Sequence, residues 1–357
     1  MKTKLLLSAL AIAMVLGLAS CSKSDNPKSN YDAYQKEVNN TVKSQKSHDK
    51  VILLVAFGCT WQQGYDAFDA TVAAYKSAFP AYDVFLSFSS AICINRAAAG
   101  ENVAPRNFFA PPFWLTAFAQ DGVKYSEIVV QSLQVIPGEE YARVINYIKD
   151  FANNSNRDLD DSYLSRVKLK LGVPLLQDAE ADVKAVAKAL NDLYKDKAAS
   201  AVVAFMGHGN PDEYDTYKAN IRYTQIEEEL QTYSKNYYVG TVDMMENFKT
   251  NVLARMKANG ITSGTVWCTP LMSIAGDHAH NDMAGDDNEN GAPNEEGEVE
   301  DTSWKCYFAA NGFTCNNNTQ IVKGLLELPT VRQVWINHTT AAINGAPLDY
   351  YHSKDPE

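Results

Sequence analysis

The sequence predicts an α/β protein of two similar domains, each with a central parallel sheet flanked by helices and with the active site in the cleft between them. Three observations carry this expectation. From Lys50 onward, short and nearly continuous apolar runs alternate with amphipathic stretches, the pattern of strands buried on both faces and the helices covering them. The alternation begins again near residue 166, which suits two halves better than one large sheet. Beyond a leader and a polar segment, roughly 310 residues remain, the length of two ordinary α/β domains.

The first residues read as an export signal. Lys2 and Lys4 precede an apolar run from Leu5 to Leu18, too short to span a bilayer comfortably. Leu18-Ala19-Ser20-Cys21 follows, a lipobox pattern that makes 1–20 a lipoprotein signal peptide and Cys21 the lipidated N-terminus. Buried acyl methylenes give stable anchoring, so the expected address is the cell envelope, with membrane contact only through the anchor. Ser22 in place of an aspartate favours the outer membrane, on its periplasmic or surface side. Residues 21–48 are polar without a sustained apolar pattern and are expected to form a flexible tether, with a pair of helical turns near its end.

The N-terminal domain is expected over 49–166. Val51 to Phe57 reads as a strand ended by Gly58, and Tyr65 to Phe79 as a helix with Phe68, Val72, Tyr75 and Phe79 at three- and four-residue intervals. Strands follow at Asp83–Phe88 and Glu127–Val135, then a helix at Tyr141–Ala152. In the C-terminal domain, 167–330, strands are expected at Val167–Val173, Ala201–Met206, Tyr237–Val242 and Gly264–Pro270. Its helices are expected at Asp178–Tyr194, Ile226–Tyr233 and Asn247–Asn259. An acidic insertion, 286–301, holds eight acids and no base. It lacks the ligand spacing of a calcium loop and reads as solvated. Residues 331–357 form a C-terminal helix and tail.

The formal net charge is −11, and no basic stripe points to a nucleic-acid partner. Beyond Cys21 there are five cysteines, none in a metal-ligand spacing. Cys59, Cys93 and Cys268 read as small buried apolar residues. An exported chain permits a disulfide, and Cys306 with Cys315 is the pair closest in sequence.

Six histidines are present. His48, His338 and His352 read as surface or packing residues. His208 stands between Gly207 and Gly209 directly after an apolar strand, where a polar ring gains nothing from packing and small neighbours admit a ligand. His278 lies in Gly276-Asp277-His278-Ala279-His280-Asn281-Asp282-Met283. Imidazole suits borderline divalent metals, and Asp277 or Asp282 is placed to orient a ring through its other nitrogen. One of His278 and His280 is expected to be a ligand. His208 and Asp243 fall at carboxyl ends of strands and His278 on the loop after one, where such sheets take ligands.

Several segments, in this order, resemble those of the anaerobic sirohydrochlorin cobaltochelatases, a class II chelatase family. In the first half these are Phe57-Gly58, Phe88-Ser89-Ser90, Gln131-Ser132-Leu133, Pro137-Gly-Glu-Glu-Tyr141 and Gly172-Val-Pro-Leu-Leu176. In the second they are Met206-Gly-His-Gly209, Gly240-Thr-Val242, Pro270-Leu-Met272, Gly276-Asp-His-Ala279, Asn281-Asp-Met-Ala284 and Ser303-Trp-Lys305. The resemblance implies that metal and tetrapyrrole meet between two α/β halves, with His208, Asp243 and His278 on the metal and His208 and Glu140 in catalysis. Glu246, His280 and Gln134 are accessory candidates. The sequence departs from the family at Asp243, where a Glu is usual, at Gln134, where a His is usual, and at Asn210-Pro211-Asp212, where a further His is common.

The expected function is insertion of Co²⁺, or Fe²⁺, into sirohydrochlorin or a related tetrapyrrole, as in anaerobic cobalamin biosynthesis. The alternative is a non-catalytic envelope lipoprotein that binds metal or haem for uptake. Five aromatics between Phe108 and Phe118 suggest packing between copies in a homo-oligomer, ahead of a flat tetrapyrrole site or a membrane contact.

Overall fold

The computed structural model describes residues 27–100, 103–155, 159–286 and 302–351. The first sheet holds β1 (Lys50–Ala56), β2 (Asp83–Phe88), β3 (Glu127–Ser132) and β4 (Lys168–Gly172) in spatial order β2-β1-β3-β4. The second holds β5 (Val202–Gly207), β6 (Tyr237–Thr241), β7 (Gly264–Pro270) and β8 (Phe313–Thr314) in order β6-β5-β7-β8. All pairings are parallel. The same path is traced twice, so strand order reverses between β1 and β3 and again between β5 and β7. The crevice beyond the carboxyl ends of such pairs is where these sheets take ligands.

The unbroken apolar runs follow from cover on both faces. In β1, Ile52, Leu54 and Ala56 enter one core while Val51, Leu53 and Val55 enter another. In β5, Val203 and Phe205 join the core that Ile52 and Leu54 enter, and Val202, Ala204 and Met206 turn to a third. Successive side chains alternate faces, and here both faces are dry. One apolar core is thus shared by both halves.

The break expected at residue 166 lies further along the chain. β4 pairs with β3, Leu169 opposite Ile128 and Leu171 opposite Val130, and so belongs to the first sheet. The register matches apolar to apolar residues, and the C-terminal helix covers both strands. The crossing to the second sheet comes after β4. The two-residue β8 was not expected, because so short a strand has no periodicity.

The helices are α1 (Pro27–Gln45), α2 (Gln62–Ala78), α3 (Ala91–Ala99), α4 (Pro111–Phe118), α5 (Glu139–Ala152), α6 (Asp161–Leu164), α7 (Ala181–Ala198), α8 (Ile221–Tyr233), α9 (Lys249–Ala258), α10 (Trp304–Ala310) and α11 (Pro329–Asn344). The expected flexible tether is corrected over its described part: α1 is a packed helix. Its Val38 and Val42 are fully buried, Gln35 Nε2 donates to the Phe113 carbonyl at 2.9 Å, and Tyr31 stacks obliquely on Phe113 with centroids 4.9 Å apart. After its last turn, Ser47 Oγ donates to Asp83 at 2.8 Å and His48 Nδ1 lies 2.8 Å from the same carboxylate. Two valines in a polar stretch are too sparse to announce a helix. Their partner is the aromatic segment, in which Phe109, Trp114, Leu115 and Phe118 are buried in the chain's own core. That segment therefore gives no argument for an oligomer.

His338 bridges α11 to α7, Nε2 lying 3.0 Å from Asp182, a structural role. The five described cysteines are free. Cys315 Sγ approaches Cys268 at 3.8 Å rather than Cys306, because Cys315 directly follows β8, the strand beside β7. Among the described residues no helix is long and apolar enough to cross a membrane. The signal peptide, Cys21, His352 and residues 287–301 of the acidic insertion lie outside the described residues.

Candidate metal centre

β5 ends on Gly207, where a Cβ would collide with the Tyr223 ring. Gly209 takes φ +79, a left-handed turn that glycine adopts without strain. Between them His208 leaves the sheet at the switch point. Its Nδ1 lies 2.6 Å from the Gly209 carbonyl. A carbonyl only accepts, so the proton sits on Nδ1 and Nε2 keeps its lone pair.

His278 opens a π-helical segment, His278–Met283, beyond β7. Its Nδ1 lies 2.5 Å from Asp282 Oδ2, which again leaves Nε2 as the free nitrogen. Such single π turns recur at functional sites, and here the turn carries Asp282 back beneath the ring. The two imidazoles meet with centroids 4.9 Å apart and planes at 81°. Burial disfavours protonated His278, but Asp282, then Asp243 and Asp277, outweigh it and raise the imidazole above its ordinary value. Each imidazole thus has one nitrogen oriented by an oxygen and one available to a metal, the usual ligand arrangement for histidine.

The other candidates divide. Asp243 is near the pair, but Oδ2 lies 3.5 Å from Nδ1 of His208, beside the oriented nitrogen. Its backbone N–H donates to the His208 carbonyl at 2.9 Å. Glu140 comes from the other half, in the first turn of α5, where Oε2 accepts from Ser89 Oγ at 3.4 Å. Burial raises its carboxyl pKa, against the opposing pull of Arg143, His208 and the Ser89 bond. His208 is therefore within its electrostatic reach.

His280 is turned away from the pair. Two residues along a helical turn point to different sides, and its ring stacks on Trp61 with centroids 3.8 Å apart and planes 7° from parallel. Gln134 is buried in the first half, its amide oxygen accepting from Ser132 Oγ and its backbone carbonyl from Trp335 Nε1 at 3.3 Å. Glu246 is exposed in the short turn Met245–Asn247. Among the described residues no three His, Cys, Asp or Glu side chains converge to hold an ion, so the convergence is the imidazole pair.

Sequence reasoning missed the residues that fasten the His278 loop to the first half. Trp61 Nε1 donates to Asp277 Oδ1 at 2.5 Å, and Arg96 donates to Asp277 Oδ2 at 3.3 Å. Glu139 accepts from Thr216 N–H and Oγ at 2.8 and 2.7 Å, tying α5 to the loop after His208. Partners 77 to 216 residues apart leave no local signal. The acidic pair Glu139-Glu140 at a helix start was the one visible hint.

A family model described as "Cobalt chelatase (CbiK)" matches residues 50–344. The chain is 27% identical over 297 residues to "Sirohydrochlorin cobaltochelatase CbiKC" of Nitratidesulfovibrio vulgaris, covering 83% of this chain and 91% of that one. It is 27% identical over 301 residues to "Sirohydrochlorin cobaltochelatase" of Salmonella typhimurium, covering 83% and 97%. A solved structure titled "SirB from Bacillus subtilis with Fe3+" aligns over 83% of this chain and 96% of that one, at 17% identity and a TM-score of 0.48.

Proposed function

This chain belongs to the cobalt chelatase (CbiK) family, and from that membership we propose that it inserts Co²⁺ into sirohydrochlorin or a closely related tetrapyrrole in the cleft between its halves. The observation that carries the reading is the imidazole pair, His208 and His278, with each Nδ1 held by an oxygen. Both Nε2 atoms hold the incoming ion as substrate. Because the protein supplies a pair of ligands, the remaining positions are open to water and then to pyrrole nitrogens, which lets the ion leave.

Insertion releases two protons from the pyrrole nitrogens. Glu140 accepts one at its carboxylate, its basicity raised by burial, a setting suited to general base catalysis near neutrality. His208 accepts the other at Nε2 once the ion has passed to the macrocycle. Asp282 and the Gly209 carbonyl keep the rings aimed, and Asp243 stabilises His208 when it is protonated. Iron remains chemically acceptable to the same ligands, since imidazole suits both ions.

A second reading, a non-catalytic binder of metal or haem at the envelope, is favoured by the lipobox before Cys21 and by the absence of a third converging ligand among the described residues. One set of measurements separates the two. Soluble protein lacking residues up to Cys21 is mixed with sirohydrochlorin and either Co²⁺ or Fe²⁺, and the product is identified by absorbance and mass. Metallated product at catalytic turnover supports the enzyme. Haem binding at micromolar concentration without turnover supports the binder.

The same reading places the mature chain at the envelope, anchored through Cys21. Cys21→Ser is expected to move it from the membrane to the soluble fraction. Retention in the membrane fraction would contradict the anchor.

A further inference from the structure

The metal centre uses none of the five described cysteines, yet two of them meet in the second half. Cys268 lies in β7 and Cys315 directly after β8, with their Sγ atoms 3.8 Å apart. Their surroundings differ. Cys268 is fully buried, whereas Cys315 keeps 4% of its surface and lines a surface cavity with Lys305, Cys306 and Asn317. Cys315 is also the acceptor of the pair: Gln320 Nε2 donates to its sulfur at 3.4 Å, and Thr319 Oγ1 lies 3.8 Å away.

These neighbours divide the chemistry between the two thiols. The Cys268 bond lowers the Cys315 pKa first, burial opposes it, and Thr319, Gln320 and the Lys305 charge add to the lowering. The same bond, and then burial, raises Cys268. The thiolate is the nucleophile in exchange, so the reachable sulfur is the reactive one and its partner waits behind it. Cys306 opens on the same cavity, but its Sγ is directed to the Gly285 carbonyl at 3.7 Å.

The place of the pair in the fold gives it something to hold. Cys268 and Cys315 are 47 residues apart in sequence, and the chain between them carries the His278–Met283 turn. Its return to the sheet is slight. β8 pairs only Phe313 with Gly264 and Thr314 with Thr265, and a single bridge then sets Gln320 beside Cys268. A bond between the sulfurs closes this excursion where backbone pairing is thinnest.

We propose that Cys268 and Cys315 form a redox modification site, closed to a disulfide by exchange with a small disulfide of the glutathione class. The Cys315 thiolate attacks one sulfur of that disulfide, forming a mixed disulfide and expelling one glutathione thiolate. Cys268 then gives up its proton and attacks Cys315 Sγ, forming the internal bond and expelling the second. Two cysteine thiols are oxidised, one glutathione disulfide is reduced, and the two protons pass to the glutathione thiols. Bonded sulfurs stand about 2.05 Å apart, so the pair closes by about 1.8 Å, at a residue that ends a two-residue strand. An oxidising compartment preserves such a bond, so its presence in the cell rests on the envelope reading above; the pairing itself does not.

The full chain is equilibrated with oxidised glutathione, quenched with an alkylating reagent in denaturant, digested and mapped by mass spectrometry. A peptide pair linked through Cys268 and Cys315 is expected, with Cys59, Cys93 and Cys306 outside any internal cross-link. Cys268→Ala is expected to retain glutathione on Cys315, because nothing remains to expel it, and Cys315→Ala to leave Cys268 unmodified. Wild type is expected to melt a few degrees higher oxidised than reduced, a gap absent from both variants. Oxidised wild type in which both thiols are alkylated, or in which Cys315 is linked to Cys306, would overturn the proposal. Glutathione on Cys268 in Cys315→Ala would overturn the order of attack. Neither metal nor tetrapyrrole enters the measurement, so either failure leaves the chelatase reading standing.

Discussion

Asp282 Oδ2 lies 2.5 Å from Nδ1 of His278, one turn of a π-helical segment along the chain. The carboxylate sets the tautomer and raises the basicity of the other nitrogen, the one proposed to meet the metal. Asp282→Asn is expected to weaken Co²⁺ binding by about 10–100-fold, the usual cost of losing such a partner. Competition titration at pH 8 measures it.

The same carboxylate gives metal binding a pH signature. Protons compete with the ion at the imidazole, whose pKa Asp282 raises despite burial. Affinity is therefore expected to fall as pH drops through a value above the ordinary imidazole range. In Asp282→Asn that midpoint moves to lower pH. A midpoint that stays in place would show that another group governs the titration.

In the proposed reaction Glu140 acts in its ionised form, and burial raises its pKa. Turnover is expected to fall on the acid side through a value above that of an ordinary glutamate. Glu140→Gln removes this limb and lowers kcat by roughly 100-fold or more, the range of general acid–base catalysis. Affinity for Co²⁺ alone is expected to be unchanged. Paired kcat and metal titrations separate a proton acceptor from a ligand.

His280 and Trp61 stack as two aromatic planes, so His280→Phe preserves the contact and is expected to bind Co²⁺ as wild type does. His278→Ala is expected to lose most of the affinity. Equal losses in the two variants would return His280 to the metal.

α1 is held through Asp83. Burial works against that carboxylate, but donors from Tyr125, Ser47 and His48 prevail and hold its pKa below the usual range. Its contribution to stability is present above the unfolded carboxylate value and is lost as pH falls through the lowered folded value. Asp83→Asn is therefore expected to melt earlier than wild type at pH 7, with the gap closing toward pH 3. Removal of residues 22–48 is likewise expected to lower the melting temperature, whereas loss of a free tether would leave it unchanged.

Much of this arrangement was legible in the sequence, for definite reasons. A strand buried on both faces needs an apolar residue at every position, so Val51–Ala56 and Val202–Met206 announced themselves. His208 was visible because two glycines and a strand end leave a polar ring no packing role. Other features depend on partners far along the chain. Leu169 and Leu171 mark a strand, but only pairing with Ile128 and Val130 assigns it to the first sheet. Val38 and Val42 gain meaning only beside Phe109 and Phe118. Only the family resemblance separated His278 from His280 in the sequence; in the fold a π turn sends one ring to His208 and the other to Trp61.

The central claim is that the imidazole pair delivers a metal ion to a tetrapyrrole. The most direct measurement is the initial rate of Co²⁺ insertion into sirohydrochlorin, followed by absorbance, for wild type and His208→Ala at equal concentration. Wild type is expected to exceed both the variant and the protein-free rate by roughly 100-fold or more. A wild-type rate no faster than that of His208→Ala would contradict the claim.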